Sequence, residues 1–269
     1  MLFGPANRLD FVPKFIAAGA DAGVLDLEDA VPETGKQAAR DIIADAKPGA
    51  SDDLGSMELF VRVNAIDTPH FEADVVAAAA AGVMGIVVPK LEDAAGVAHV
   101  RGTMDANGIA NLCAGIESAA GVEAAVEIAG AGVELAYFGA EDFVTDMGGV
   151  RTASNDEVLY ARSRVALAAR LAEVPVLDQV VVDYRDDERF EREAAKARSL
   201  GYSGKLCIHP AQVALANASF SPSAAELAWA EGVVAAADQA LREGSGVVSY
   251  EGTMVDAPIV RRARSLLEK

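Results

Sequence analysis

Eight apolar runs rich in Val, Ile and Leu recur along the chain, at residues 1–3, 22–28, 59–64, 85–90, 111–117, 135–139, 176–183 and 204–209, each followed by a longer Ala-rich stretch with helical periodicity. That alternation is the pattern of buried parallel strands joined by crossover helices. From the second run on, the closing residues Glu28, Asn64, Lys90, Glu117, Gly139, Asp183 and His209 are 36, 26, 27, 22, 44 and 26 residues apart. One βα unit takes roughly 30 residues, and a closed barrel of eight typically takes about 250. A chain of 269 residues has room for it. The expected fold class is therefore α/β, a (βα)8 TIM barrel. An open doubly wound sheet would carry a Gly-rich phosphate turn after an early strand, and neither LDLEDA nor FGPANR reads G-x-G-x-x-G. Sixty residues follow His209, more than one closing helix needs. The chain is thus expected to divide into a barrel over 1–218 and a C-terminal helical extension over 219–269.

Local signals agree with these elements. Ser154 and Glu157 read as a capping box before a helix whose inward stripe is Val158, Ala161, Val165, Ala168 and Leu171. Ser223 with Glu226 repeats the box, and Thr68-Pro69 reads as a cap followed by Pro at the first helical position. In the extension, Glu251-Gly252 predicts a tight turn between 247–250 and 253–255, and Asp256 predicts a cap for a helix over 257–267. Residues 46–56 read as a polar loop.

Composition narrows the partners. With 23 Lys+Arg against 41 Asp+Glu the formal charge is −18, which argues against a nucleic-acid partner because tracking phosphates needs a basic face. Apolar types make up 52% of residues and aromatics only 6%, so the core must be aliphatic. No apolar run reaches the roughly 18 residues of a membrane span, and MLFGPANRLDF has no cationic stretch followed by a long apolar core. No membrane association and a cytoplasmic location are expected. Cys113 and Cys207 each lie inside an apolar run and read as buried thiols; His70, His99 and His209 have no ligand-like spacing, so a zinc site is not expected.

In a barrel of this kind the active site is built at the carboxyl ends of the strands. There the sequence places Asp26, Glu28, Asp29, Arg62, Asn64, Lys90, Glu117, Glu141, Asp142, Asp183 and His209. Crowded carboxylates repel, and the remedies are raised pKa values, cationic partners or a bound metal. Hard oxygen donors with few His or Cys select Mg²⁺, with Mn²⁺ as the alternative. Glu117 and Asp142, closing adjacent strands, are the best ligand pair; the competing explanation is that each caps the following helix. Arg62, at the end of an apolar strand, needs an anionic partner. A structural ion pair to Glu28 or Glu117 and a clamp on a substrate oxygen both satisfy it. Arg8 follows the first strand in the same way.

The motifs GADAGVLDLEDAV, K-x-x-A-R at 36–40, VRVN, GIVVPK, GIESAAGV, FGAEDFVTDMG, GKLCIHPAQV and GVVSYEGTMVDAP, in that order over nearly the whole chain, resemble the CoA-ester lyases related to the citrate lyase beta subunit, within the HpcH/HpaI aldolase superfamily. The resemblance implies that Glu117 and Asp142 are the protein ligands of Mg²⁺ and that Arg62 is the clamp on substrate and enolate. It implies that Asp26, Glu28 and Asp29 hold metal-bound water or orient Arg62 and Lys36 at the substrate site, and that Arg8 faces CoA or a substrate carboxylate. Asp256 matches a lid aspartate that in related lyases completes the site of a neighbouring subunit, which makes the extension a lid and the active unit a homo-oligomer, a trimer.

The activity so implied is reversible carbon–carbon cleavage of a β-hydroxyacyl-CoA, such as malyl-, citramalyl- or citryl-CoA, to acetyl-CoA or a homologue and a 2-oxoacid. Three alternatives stand beside it. Malyl-CoA thioester hydrolysis would use the same scaffold. A 4-hydroxy-2-oxoacid aldolase would use a His base near the second strand, which LDLEDA lacks. A non-catalytic barrel subunit would have no use for intact acid and arginine positions.

Overall fold

The computed structural model describes residues 1–268; Lys269, the last residue of the expected extension, lies outside the described residues. Eight parallel strands form one sheet in sequence order: β1 (Leu2–Pro5), β2 (Ala22–Asp26), β3 (Glu58–Arg62), β4 (Gly85–Val88), β5 (Asn111–Ile116), β6 (Leu135–Phe138), β7 (Val176–Asp178) and β8 (Gly204–Lys205). The sheet curls until its ends meet. Leu2 bridges Cys207 in parallel, Phe3 N–H donates to Cys207 O and Cys207 N–H donates to Met1 O, at 3.0 and 2.8 Å. The result is TIM-barrel-like, as the run-and-helix repeat requires.

Between the strands lie helices α1 (Phe11–Ala17), α2 (Lys36–Ala46), α3 (Phe71–Ala80), α4 (Ala94–Asn107), α5 (Ala119–Glu123), α6 (Ala125–Gly130), α7 (Ala140–Asp146), α8 (Asp156–Leu171) and α9 (Asp187–Leu200), with α10 (Ala211–Phe220) after β8. Ala22, Val24, Phe60, Val87, Cys113 and Tyr137, from the five successive strands β2 to β6, and Leu206, just after β8, pack on one another as its interior. Small residues dominate where helix meets strand, which is how a core with few aromatics reaches interior density. Cys113 and Cys207 are buried free thiols.

The chain resolves into two compact units, Met1–Asn217 and Ala218–Lys269. Within the second, α11 (Ala224–Arg242) opens on the Ser223–Glu226 capping box, formed in both directions. The hairpin β9 (Val248–Tyr250) and β10 (Thr253–Val255) turns at Glu251 and Gly252, whose φ values of 49° and 78° suit a two-residue turn of the primed type. Helix α12 (Ala257–Leu267) is capped by Asp256, whose Oδ1 accepts from Ile259 N–H at 3.4 Å. Ala230, Val233, Val255 and Ala263 form this unit's own small core.

Several local expectations are corrected. Strand β7 stops at Asp178, so Asp183 does not close it: residues 179–183 leave the sheet as Gln179 turns inward. The Ser154–Glu157 box does not form. Glu157 instead pairs with Arg151 at 2.6 Å and accepts from Thr152 N–H, while the helix takes Asn155, not Ser154, as its N-cap. Leu171 is exposed rather than inward. Thr68 Oγ1 donates to Ala65 O, and the helix starts later, after His70.

Where α8 meets the ends of β7 and β8 lies a buried ionic group that no local pattern announces. Asp178, fully buried, accepts from Arg162 Nε and Nη2, both at 3.0 Å, and from Lys205 Nζ at 2.6 Å. Lys205 also donates to Gln179 O, which ties the exit of β7 to β8. Removing the shared anion strands two buried cations, so Asp178→Ala is expected to cost about 3–5 kcal/mol, read as a fall in melting temperature. A variant melting with the wild type would show that the group carries no net stability.

Candidate active site at the barrel mouth

A cavity of about 440 Å³ opens at the carboxyl ends of the strands, lined among others by Phe3, Asp26, Asp29, Arg62, Glu117, Tyr137, Gly139, Glu141, Asp142 and Leu206. Strand register assembles its first pair. Asp26 and Arg62 are partners across β2 and β3, so the guanidinium lies along the carboxylate, with Nε and Nη2 donating to Oδ1 and Oδ2 at 2.7 Å each. Arg62 Nη1 lies 3.0 Å from Glu28 Oε2 without an aligned hydrogen bond, and the guanidinium sits 5.3 Å from the centre of the Phe3 ring. Burial disfavours the charge on Arg62, but Asp26 and Glu28 outweigh it and raise the pKa well above the ordinary arginine value. The ion pair expected with Glu28 or Glu117 is thus shared between Asp26 and Glu28.

Glu117 follows β5 directly and is buried. Its Oε1 accepts from Lys90 N–H at 3.0 Å. Burial, then the charges of Glu28 and Asp142, push its pKa up to about 7, against the weaker pull of Arg62 and Lys90. Gly139, at the end of β6, makes room for it: a Cβ there would fall 2.2 Å from Glu117 Oε2. Asp142 lies in the first turn of α7, half-exposed on the cavity wall. Neither Glu117 nor Asp142 caps its helix through its side chain; Ser118 caps α5.

Lys90 has no role from its motif alone, yet it is the second cation of the mouth. Its ammonium donates to Glu28 Oε1 at 2.8 Å and lies 3.4 Å from Asp142 Oδ1. Burial raises the pKa of Glu28, and Arg62 and Lys90 offset part of that rise. Asp26 also accepts the backbone N–H groups of Glu28 and Ala30, so it orders the loop as well as orienting Arg62.

Three expected residues, Lys36, Arg8 and Asp256, do not line the cavity. Lys36 is buried and donates to Leu27 O and Glu28 O at 2.8 and 3.0 Å, so it braces the loop beneath Glu28 and does not line the cavity. Arg8 is exposed, paired with Asp10 at 2.8 Å, and does not line the cavity. Asp256 belongs to the C-terminal unit and caps α12.

Among the described residues no group of three or more His, Cys, Asp or Glu side chains forms a ready cage for a metal. Mg²⁺ does not require one, since it commonly takes one or two carboxylates and fills its other positions with water and substrate. The donors here fit it. Glu117 and Asp142 offer only hard oxygens on one cavity, and the pKa of Glu117 is raised first by burial and then by the negative charges of Glu28 and Asp142, which a bound cation would offset. A sign follows for pH. Glu117 holds its proton up to about pH 7, against an ordinary value of 4.5, so the folded chain loses stability through this group as pH rises from 4.5 towards 7. A cation bound below pH 7 must displace that proton. Mg²⁺ affinity is therefore expected to fall by up to about tenfold per pH unit below 7 and to level above it; a flat titration profile between pH 5 and 8 would separate Glu117 from the metal.

With this geometry in hand, the relatives are informative. Residues 1–210 match the HpcH/HpaI aldolase/citrate lyase family. The citrate lyase subunit beta-like protein of Deinococcus radiodurans is 47% identical over 99% of this chain and 95% of its own length. The L-malyl-CoA/beta-methylmalyl-CoA lyase of Rhodobacter capsulatus is 35% identical over 100% of this chain and 93% of its own. The crystal structure of CitE from Mycobacterium tuberculosis, in complex with magnesium, acetoacetate and coenzyme A, superposes with a TM-score of 0.85 at 34% identity, covering 99% of this chain and 96% of that one. No described helix is long and apolar enough to cross a membrane. A barrel with carboxylates and a fixed arginine at its mouth, aligned nearly end to end with these lyases, belongs to the HpcH/HpaI aldolase/citrate lyase family.

Proposed function

We propose that the chain is a Mg²⁺-dependent carbon–carbon lyase acting reversibly on a carboxylated β-hydroxyacyl-CoA, releasing acetyl-CoA or a homologue and a 2-oxoacid. The observation that carries this reading is the placement of Arg62, fixed by Asp26, in the same cavity as the Glu117–Asp142 pair. The cavity is of a size for a small organic acid. A relative named as L-malyl-CoA/beta-methylmalyl-CoA lyase, and a different one, CitE, solved with magnesium, acetoacetate and coenzyme A, support the substrate class.

Glu117 and Asp142 would hold Mg²⁺, which when bound supplies Lewis acidity that lowers the pKa of the substrate hydroxyl. As the hydroxyl gives up its proton to solvent the carbon–carbon bond breaks, the hydroxyl carbon becomes the carbonyl of the 2-oxoacid, and the bond's electron pair leaves on the departing thioester as an enolate. Arg62 would hold that developing charge. Asp256 in its acid form would then deliver a proton to carbon, or remove one in the condensing direction.

Asp256 would do so from a neighbouring copy in a homotrimer, with the C-terminal unit as a lid that keeps water from the enolate. Mixing Asp142→Ala with Asp256→Ala tests this, because hybrid oligomers then contain some complete sites. Partial recovery of activity supports a shared site, and no recovery under verified subunit exchange overturns it. The chemistry itself is tested on malyl-, citramalyl- and citryl-CoA, with free thiol and 2-oxoacid assayed separately. Equal release of acyl-CoA and 2-oxoacid is expected; free thiol without 2-oxoacid would mean thioester hydrolysis instead.

A further inference from the structure

We infer that Lys90 is a built-in counter-cation of the barrel mouth, holding Glu28 and Asp142 in competition with the divalent cation. The inference rests on Glu117 and Asp142 being that cation's ligands. Lys90 follows β4 through Pro89 with φ at 53°, in the left-handed region that non-glycine residues seldom adopt. In that conformation one residue reaches both members of the pair: its backbone N–H meets Glu117 Oε1 at 3.0 Å, and its ammonium lies 3.4 Å from Asp142 Oδ1 while bonding Glu28 Oε1 at 2.8 Å. Nothing else among the described contacts places a positive charge against Asp142.

Charge explains why such a residue is useful. Apart from Glu141, whose charge is matched by Arg151, the mouth sets Asp26, Glu28, Asp29, Glu117 and Asp142 against Arg62 and Lys90, a formal balance of 2 − 5 = −3. Arg62 is bound along Asp26 and has only 15% of its side chain exposed, so it cannot turn away. Lys90 is 39% exposed on a flexible four-carbon stem, so its ammonium can swing to water when a dication arrives. Two cations near the same carboxylates repel each other, and the one on the protein must yield. Lys90 therefore sets how tightly the metal binds, keeping the carboxylates ordered without it at the expense of affinity with it.

The test is titration of Mg²⁺ alone into the full chain by calorimetry, without substrate. Lys90→Met is expected to bind Mg²⁺ about tenfold or more tightly than wild type, a change of about 1.4 kcal/mol. It should also melt lower without Mg²⁺ and show a larger rise in melting temperature when Mg²⁺ is added. Lys90→Arg, which keeps the charge, should bind close to wild type. Lys90→Gln removes the charge with a polar side chain, so a folding defect confined to the Met variant does not decide the matter. Unchanged or weaker Mg²⁺ binding in the neutral variants, with wild type binding normally, overturns this inference alone. Absence of Mg²⁺ binding in wild type overturns the metal assignment, and this inference with it.

Discussion

Arg62→Lys is expected to lower kcat by roughly 10²–10³-fold on whichever thioester the wild type turns over, with fold and Mg²⁺ binding retained. Charge is conserved in this variant, so what is lost is shape. Arg62 lies along Asp26 through two donors at 2.7 Å and keeps Nη1 facing Glu28 at 3.0 Å, an orientation that a planar fork can hold and a single ammonium cannot. If the guanidinium strengthens its contact as charge develops on the thioester oxygen, the loss falls on kcat more than on KM. Steady-state kinetics beside a thermal melt separates the cases. Near-normal kcat would reduce Arg62 to a structural partner of Asp26.

Glu117→Ala and Asp142→Ala should each abolish Mg²⁺-dependent turnover while leaving the barrel folded, since each removes half of a two-carboxylate ligand set. Gly139→Ala reaches the same end without touching a carboxylate: the added Cβ, 2.2 Å from Glu117 Oε2 and facing the side chain's own Cβ at 2.6 Å, must displace Glu117. All three are checked by Mg²⁺ calorimetry and circular dichroism. Wild-type-like Mg²⁺ binding in Glu117→Ala or Asp142→Ala would remove that residue from the site.

How far these residues were legible depends on how local their signals are. Arg62 and Glu117 could be found because each closes or directly follows a strand, and Asp142 because it lies one turn beyond one; strand ends are readable from the apolar runs. That Asp26 rather than Glu117 would hold Arg62 could not, since it depends on the register Asp26↔Arg62 between strands 36 residues apart. Lys90 stood among the polar strand ends with no role, because VPK does not announce a left-handed φ. The Arg162–Asp178–Lys205 group was invisible for a similar reason: it joins α8, β7 and β8, and its members sit in stretches that read as helix or apolar strand. Asp183 misled in the other direction, because the Val-rich run 180–182 looks like strand although the sheet ends at Asp178. Periodicity locates elements, whereas ionic partners across them are set by packing.

The ring closure between the first and last strands bears on how the chain is made. The Met1 ammonium donates to Lys205 O, a partner 204 residues away, and β1 pairs with nothing but β2 on its other side. While the chain emerges from the ribosome, β1 keeps one open edge until the segment around Cys207 has been synthesised. An unpaired parallel edge offers backbone donors and acceptors to any neighbouring chain. Nascent chains halted before residue 205 should therefore be aggregation-prone and call on chaperones, and release from them should coincide with emergence of the segment around Cys207.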